Sequence, residues 1–104
     1  MPAYVLSPDA LQDLQDIWDF IALDNAQAAD HLEDEFFKAF EMLARQPRMG
    51  HTRLDLTDRD VRFWTVSSYL IVYRQLPTML EIVALLHGSR DIPEVMRKRE
   101  HPPS

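Results

Sequence analysis

From residue 61 onward the chain alternates between dense apolar runs and short polar breaks. The stretch 61–93 reads VRFWTVSSYLIVYRQLPTMLEIVALLHGSRDIP, with breaks at Ser67-Ser68 and at Leu76-Pro77-Thr78. Runs rich in β-branched and aromatic residues, bounded by turn-forming residues, predict strands over 61–66, 69–75 and 80–87. The connections are short, so consecutive antiparallel pairing follows. Alternation within the runs is weak, because both sets of side chains are largely apolar. The sheet is therefore expected to be covered on both faces, one by helices and the other by the C-terminal segment or by a partner. Residues 3–6 predict a further short strand.

Between residues 7 and 47 the hydrophobic period changes to that of helices. Ser7-Pro8-Asp9 is a helix start: a hydroxyl N-cap, proline at the first helical position and an acid in the first turn. Leu11, Leu14, Trp18 and Ile21, joined by Ala10 and Ile17, form one stripe, with Asp13, Asp16 and Asp19 lying mostly off it on a solvated face. Asp24-Asn25 breaks this helix and caps the next, with Gln27 placed to complete a capping box from Asp24. Ala29, Leu32, Phe36, Phe40 and Leu43 form a second stripe that Pro47 ends. Residues 47–60 read as a long polar loop with Gly50 at a turn, and 92–99 as a short helix beginning at Pro93-Glu94. Residues 100–104 read as a frayed tail. The expected fold is α+β, a single domain over 1–104: an N-terminal helical hairpin packed on a small, three- or four-stranded antiparallel sheet, with a short C-terminal helix.

Composition narrows the function classes. A chain of 104 residues with 46% hydrophobic and 27% charged content has room for one soluble domain with one modest core. No apolar run reaches the roughly 18 residues that span a bilayer, and Met1-Pro2-Ala3-Tyr4 lacks a signal peptide's basic start. The absence of cysteine excludes disulfides and thiolate chemistry and fits a cytoplasmic location. The net charge of −6 conceals an asymmetry. Through Ala44 there are ten acids against one base, Lys38; from Arg45 onward there are ten bases against seven acids. The −9 half disfavours broad attraction to a phosphate backbone, whereas the +3 half suits an acidic protein partner.

Few catalytic constellations are present. His31, His51, His87 and His101 show no zinc-ligand spacing, so no metal or other cofactor is expected. Gly50 and Gly88, the two glycines, form no phosphate-cradling loop, and no serine sits in a nucleophile elbow. What remains is the polar cluster expected at the sheet end: Arg62, Arg74, His87, Ser89, Arg90 and Asp91. RNA cleavage by 2′-hydroxyl attack needs a base, cations on the phosphorane and an acid for the leaving oxygen. Arginine serves the second role alone, because it stays protonated, which leaves His87 as the one candidate base or acid. Phe63, Trp64, Tyr69 and Tyr73 can stack on bases, but interleaved in strands they read as core or partner-facing residues. Arg97-Lys98-Arg99 adds a short basic run for contact with an acidic target.

Taken together in order and spacing, several segments resemble the RelE/ParE toxin superfamily, on its ParE side. They are Leu6-Ser7-Pro8; Asp13-Leu14 followed by Ile17-Trp18; Ala44-x-x-Pro47-x-x-Gly50; Val61-Arg62; Tyr69-Leu70-Ile71-Val72-Tyr73-Arg74; and Leu86-His87-Gly88-x-Arg90-Asp91. The resemblance runs from Tyr4 to about Val95. It implies a helical hairpin on a small sheet and a partner antitoxin that wraps the toxin as a hetero-oligomer and represses the shared operon. RelE-like members cut mRNA in the ribosomal A site. Where they place two lysines, this chain has Val61 and Phe63; an arginine corresponds to Leu70 and the C-terminal tyrosine to Met96, while Arg90 is retained. The resemblance therefore implies no catalytic residues and a ParE-like action, inhibition of DNA gyrase by binding, without sequence-specific contact to nucleic acid. Expected target-binding residues are Arg62, Arg74, His87, Arg90, Arg97, Lys98 and Arg99, and expected antitoxin-binding residues are Trp18, Phe37, Trp64 and Tyr69. Two alternatives stand beside this: a ribosome-dependent endoribonuclease using His87 and Arg90, and a decayed toxin serving only as antitoxin partner and co-repressor.

Overall fold

The computed structural model describes residues 3–99, so the expected frayed tail at 100–104 lies outside the described residues. In chain order it contains β1 (Tyr4–Leu6), α1 (Pro8–Ala22), α2 (Ala26–Arg45), β2 (Arg62–Val66), β3 (Tyr69–Gln75), β4 (Leu80–His87) and α3 (Ile92–Arg99). The sheet order is β1-β4-β3-β2. As the short connections require, β2–β3 and β3–β4 are antiparallel, while β1 joins β4 in parallel and makes the sheet mixed.

Helix boundaries follow their caps. The Ser7 hydroxyl accepts the Ala10 N–H at 3.0 Å, with Pro8 opening α1. Asn25 caps α2 by accepting the Ala28 N–H at 3.1 Å, so the break at Asp24-Asn25 is realised through Asn25 and not through an Asp24 box. The Asp91 carboxylate accepts the Glu94 N–H at 3.2 Å at the head of α3. Each side-chain oxygen satisfies an N–H that has no partner within its own helix.

Both faces of the sheet are covered by the chain itself. The hairpin lays Ala10, Leu14, Leu32, Phe36, Phe40 and Leu43 on one face, against Ile71, Ile82 and Leu85 among others. On the other face Ile92, Val95 and Met96 of α3 pack on Val61, Phe63, Val72, Ala84 and Leu86. The weak alternation of the strands follows from this double cover.

Two expectations for α1 are corrected. Leu11, placed on the core stripe by spacing, is 61% exposed. Asp13, placed on the solvated face, is 7% exposed and is the buried charged residue of the described chain. The helix is rotated so that Ala10, Asp13 and Leu14 point inward, a choice fixed by what the sheet edge requires.

Candidate protein-docking site

β1 pairs with β4 only as far as Ile82, and α1 takes over that edge beyond it. The Ser7 hydroxyl donates to the Val83 carbonyl at 2.9 Å, and Asp13 Oδ2 accepts the Leu85 N–H at 3.0 Å. Arg99 at the end of α3 donates from Nη1 to Asp13 Oδ2 at 2.7 Å and from Nη2 to Oδ1 at 2.9 Å. One carboxylate thus ties α1, β4 and α3 together. Its hydrogen bonds raise the Arg99 pKa above the ordinary guanidinium value, with burial opposing and the Asp13, Asp9 and Asp16 charges adding to the rise.

Beside this junction runs a groove of about 400 Å³ between α1 and the end of the sheet. Asp16, Ile17 and Phe20 form its α1 wall; Tyr69, His87 and Arg90 form the other. The His87 ring meets the Tyr69 ring edge-on, with centroids 5.1 Å apart. His87 Nδ1 accepts the Ser89 N–H at 3.0 Å and lies 2.7 Å from the Ser89 hydroxyl, which leaves Nε2 to carry the proton of the neutral ring. Burial raises the Tyr69 phenol above its usual pKa. Arg90 is exposed and enters no salt bridge among the described residues. It also borders a smaller recess of about 330 Å³ shared with Glu94, Lys98 and Arg99 of α3.

The predicted cations do not converge on one site. Arg62 begins β2 and pairs across to Tyr73, Arg74 pairs across to Glu81, and His87 pairs across to Tyr69. Arg62 and Arg74 therefore sit at one end of the sheet and His87 and Arg90 at the other, ~15 Å away along β3 at ~3.3 Å per residue. Most are also partnered. Arg74 Nε donates to Glu81 at 2.6 Å, and Arg62 Nη1 donates to the Gly50 carbonyl at 2.8 Å. Arg97 and Lys98 both face Glu94, the lysine at 3.5 Å.

At the positions where the resemblance places nuclease lysines, Val61 and Phe63 are each 3% exposed beneath α3, with Met96 buried in the same cluster. Among the described residues no group of three or more His, Asp or Glu is placed to hold a metal ion, and no helix is long and apolar enough to cross a membrane.

The residue range that matches a known family runs from β1 to the first residue of α3. Residues 4–92 match the profile described as the ParE toxin of the type II toxin–antitoxin system parDE. The chain belongs to the ParE toxin family. A solved structure described as a chromosomal ParDE toxin–antitoxin system from P. aeruginosa superposes on this ParE chain with a TM-score of 0.68. At 18% identity, the likeness covers 84% of this chain and 96% of the other and shows the shared fold. No curated protein sequence is significantly similar to it. This ParE chain is thus a toxin of the parDE type.

The expected antitoxin-binding aromatics of this ParE toxin are dispersed. Trp18 Nε1 donates to Asp30 at 2.9 Å across the hairpin, and Phe37 packs edge-on against Phe40. Trp64 borders a pocket beside His51 and Arg53, and Tyr69 lines the α1 groove. The largest exposed apolar side chains are others: Phe20 at 72% and Leu23 at 88%, with Leu11 and Leu54. Phe20 and Leu23 stand three apart and off the stripe of α1, which is the sequence signal that marks them.

Proposed function

We propose that this ParE toxin inhibits DNA gyrase by stoichiometric docking and is neutralised by a cognate antitoxin in a hetero-oligomeric complex. One observation carries the reading: the positions that would hold phosphate-neutralising cations in a ribosome-dependent nuclease are Val61 and Phe63, sealed under α3. Cations aimed at the developing negative charge lower the barrier of such chemistry more than any other single effect, and Arg90 alone supplies little of that stabilisation. An apolar side chain at either position supplies no charge to a developing phosphorane.

The target contact is assigned to the His87–Arg90 end of the sheet with Arg97 and Lys98 on α3. Arg90 is its anchor, because an exposed guanidinium without a salt bridge loses least on meeting an acidic surface. Arg99 is excluded, being held by Asp13. The antitoxin covers the adjoining groove, where Phe20 and Tyr69 offer apolar area to an amphipathic helix or an extended segment. Trp18, Phe37 and Trp64 extend that contact over the hairpin and sheet. Groove and target contact share His87 and Arg90, so an occupied groove excludes the target.

The test is a gyrase supercoiling assay with the purified chain. Loss of supercoiling together with accumulation of cleaved DNA supports the reading. Undiminished supercoiling at a large molar excess of folded protein removes it.

A further inference from the structure

We propose that the opposite end of the sheet holds a second binding site, a pocket that takes an acidic side chain of an extended polypeptide. The pocket has a volume of about 720 Å³, inside the ~300–1,000 Å³ range of ligand sites. Three arginines line it: Arg48 from the loop after α2, Arg62 from β2 and Arg74 from β3. Its apolar lining comes from Met49, Val61 and the ring of Tyr73.

The wall of this pocket is fixed in advance. The Tyr73 hydroxyl donates to the Pro47 carbonyl and accepts the Gly50 N–H, both at 2.8 Å, and so clamps the turn that carries Arg48. Gly50 allows the clamp, since a Cβ there would lie 2.7 Å from Tyr73 Cε1 and 2.8 Å from the Phe63 carbonyl. Arg62 closes the same turn from the other side through the Gly50 carbonyl. One of its five N–H donors is used there, and Arg74 uses its Nε on Glu81, so both retain donors for a ligand. Preorganised guanidiniums lose little entropy when they bind a carboxylate, which they match in bidentate geometry.

Charge selects the class of ligand. Asp60 also lines the pocket and Glu81 stands against Arg74, on a chain whose net charge is −6. A nucleic-acid strand brings a row of phosphates and needs a basic groove that tracks it. This site instead offers three arginines around one open pocket with an apolar floor. A single carboxylate beside an apolar side chain fits, and Gln46 supplies an amide for the peptide backbone. The site is ~15 Å from His87 and Arg90 and does not depend on gyrase being the target.

The experiment titrates isotope-labelled full chain with the capped peptide acetyl-Leu-Glu-Leu-Glu-Leu-amide, its glutamine counterpart, and a short oligothymidylate. The expected result is a shift of the Gly50 amide and of the Arg62 and Arg74 Nε–H signals with the glutamate peptide, and binding about tenfold weaker for the glutamine peptide. Arg48→Gln, a change at an exposed side chain, weakens glutamate-peptide binding by about fivefold or more at unchanged melting temperature; Arg62→Gln is the second variant. Equal binding of the two peptides, shifts confined to other surfaces, no response at millimolar peptide, or tighter binding of the oligonucleotide at these signals would each overturn the proposal.

Discussion

Arg99 holds the carboxylate of Asp13 through two hydrogen bonds, of 2.7 and 2.9 Å, and so fastens the last helix to the first. The same carboxylate accepts the Leu85 N–H at 3.0 Å, so its loss strands two partners while loss of Arg99 strands one. Removing one member of a buried pair costs about 3–5 kcal/mol, and the partial exposure of Arg99 lowers that figure. Asp13→Ala is expected to destabilise the chain by about 3 kcal/mol and Arg99→Ala by about half as much. Asp13→Asn falls between, since its amide oxygen still accepts from Leu85. Urea denaturation of the singles and the double variant should give a coupling energy of about 1–3 kcal/mol; additive effects would mean that the contact contributes nothing.

The Tyr73 clamp predicts a second stability effect. Tyr73→Phe leaves the Gly50 N–H and Pro47 carbonyl without their partner and should cost about 1–3 kcal/mol. Gly50→Ala should cost a similar amount, about 1–3 kcal/mol, by overpacking against the ring and the Phe63 carbonyl. Thermal melting checks both. An unchanged melting temperature for Gly50→Ala would show that the turn moves aside freely.

Three tyrosines set the alkaline limit. Burial raises the phenols of Tyr4, Tyr69 and Tyr73 above the ordinary value of 10.0; Glu41 adds to the rise at Tyr4, while the Gly50 hydrogen bond and Arg62 oppose it at Tyr73. Below that value the phenols are protonated in folded and unfolded chain alike, and their contribution is fully present. As pH rises through it the unfolded chain loses these protons first, so stability falls until the higher folded values are passed. Each such proton contributes a slope of up to about 1.4 kcal/mol per pH unit. Denaturation midpoints should therefore decline above pH 10, less steeply in Tyr73→Phe than in the unmodified chain after allowance for its lower starting stability. Parallel declines would contradict the assignment.

At the docking end, Arg90→Ala is expected to weaken gyrase inhibition by about tenfold or more, as loss of a central anchor does. Lys98→Ala, already facing Glu94, should have a smaller effect. His87→Ala and Arg90→Ala also separate docking from cutting on programmed ribosomes. Specific mRNA cleavage by the unmodified chain, lost in both variants, would transfer the toxin to the ribonuclease class.

Much of the architecture is legible in the residues. The caps at Ser7 and Asn25, the stop at Pro47 and the turns at Ser67-Ser68 and Pro77 are local chemistry, and the strands between them carry their β-branched runs openly. The site is less legible, because its key relationships are long-range. Asp13 and Arg99 stand 86 positions apart, and an aspartate off an apolar stripe gives no sign that a sheet edge will need its oxygens. Spacing likewise places Leu11 inside, since helical periodicity fixes a stripe's width better than its centre. Sequence order groups Arg62 and Arg74 with His87 as one cluster, whereas antiparallel register sets the start of β2 beside the end of β3 and sends the end of β4 to the opposite end of the sheet.

Dose dependence tests docking against catalysis most directly. With gyrase and supercoiling time held fixed, the folded toxin is added from well below to well above the enzyme's concentration. Inhibition by docking predicts that residual supercoiling falls in proportion to added toxin, levels off once the enzyme is saturated, and does not deepen with longer preincubation. Supercoiling that stays intact throughout, or that keeps failing with time at a small fraction of the enzyme's concentration, would contradict it.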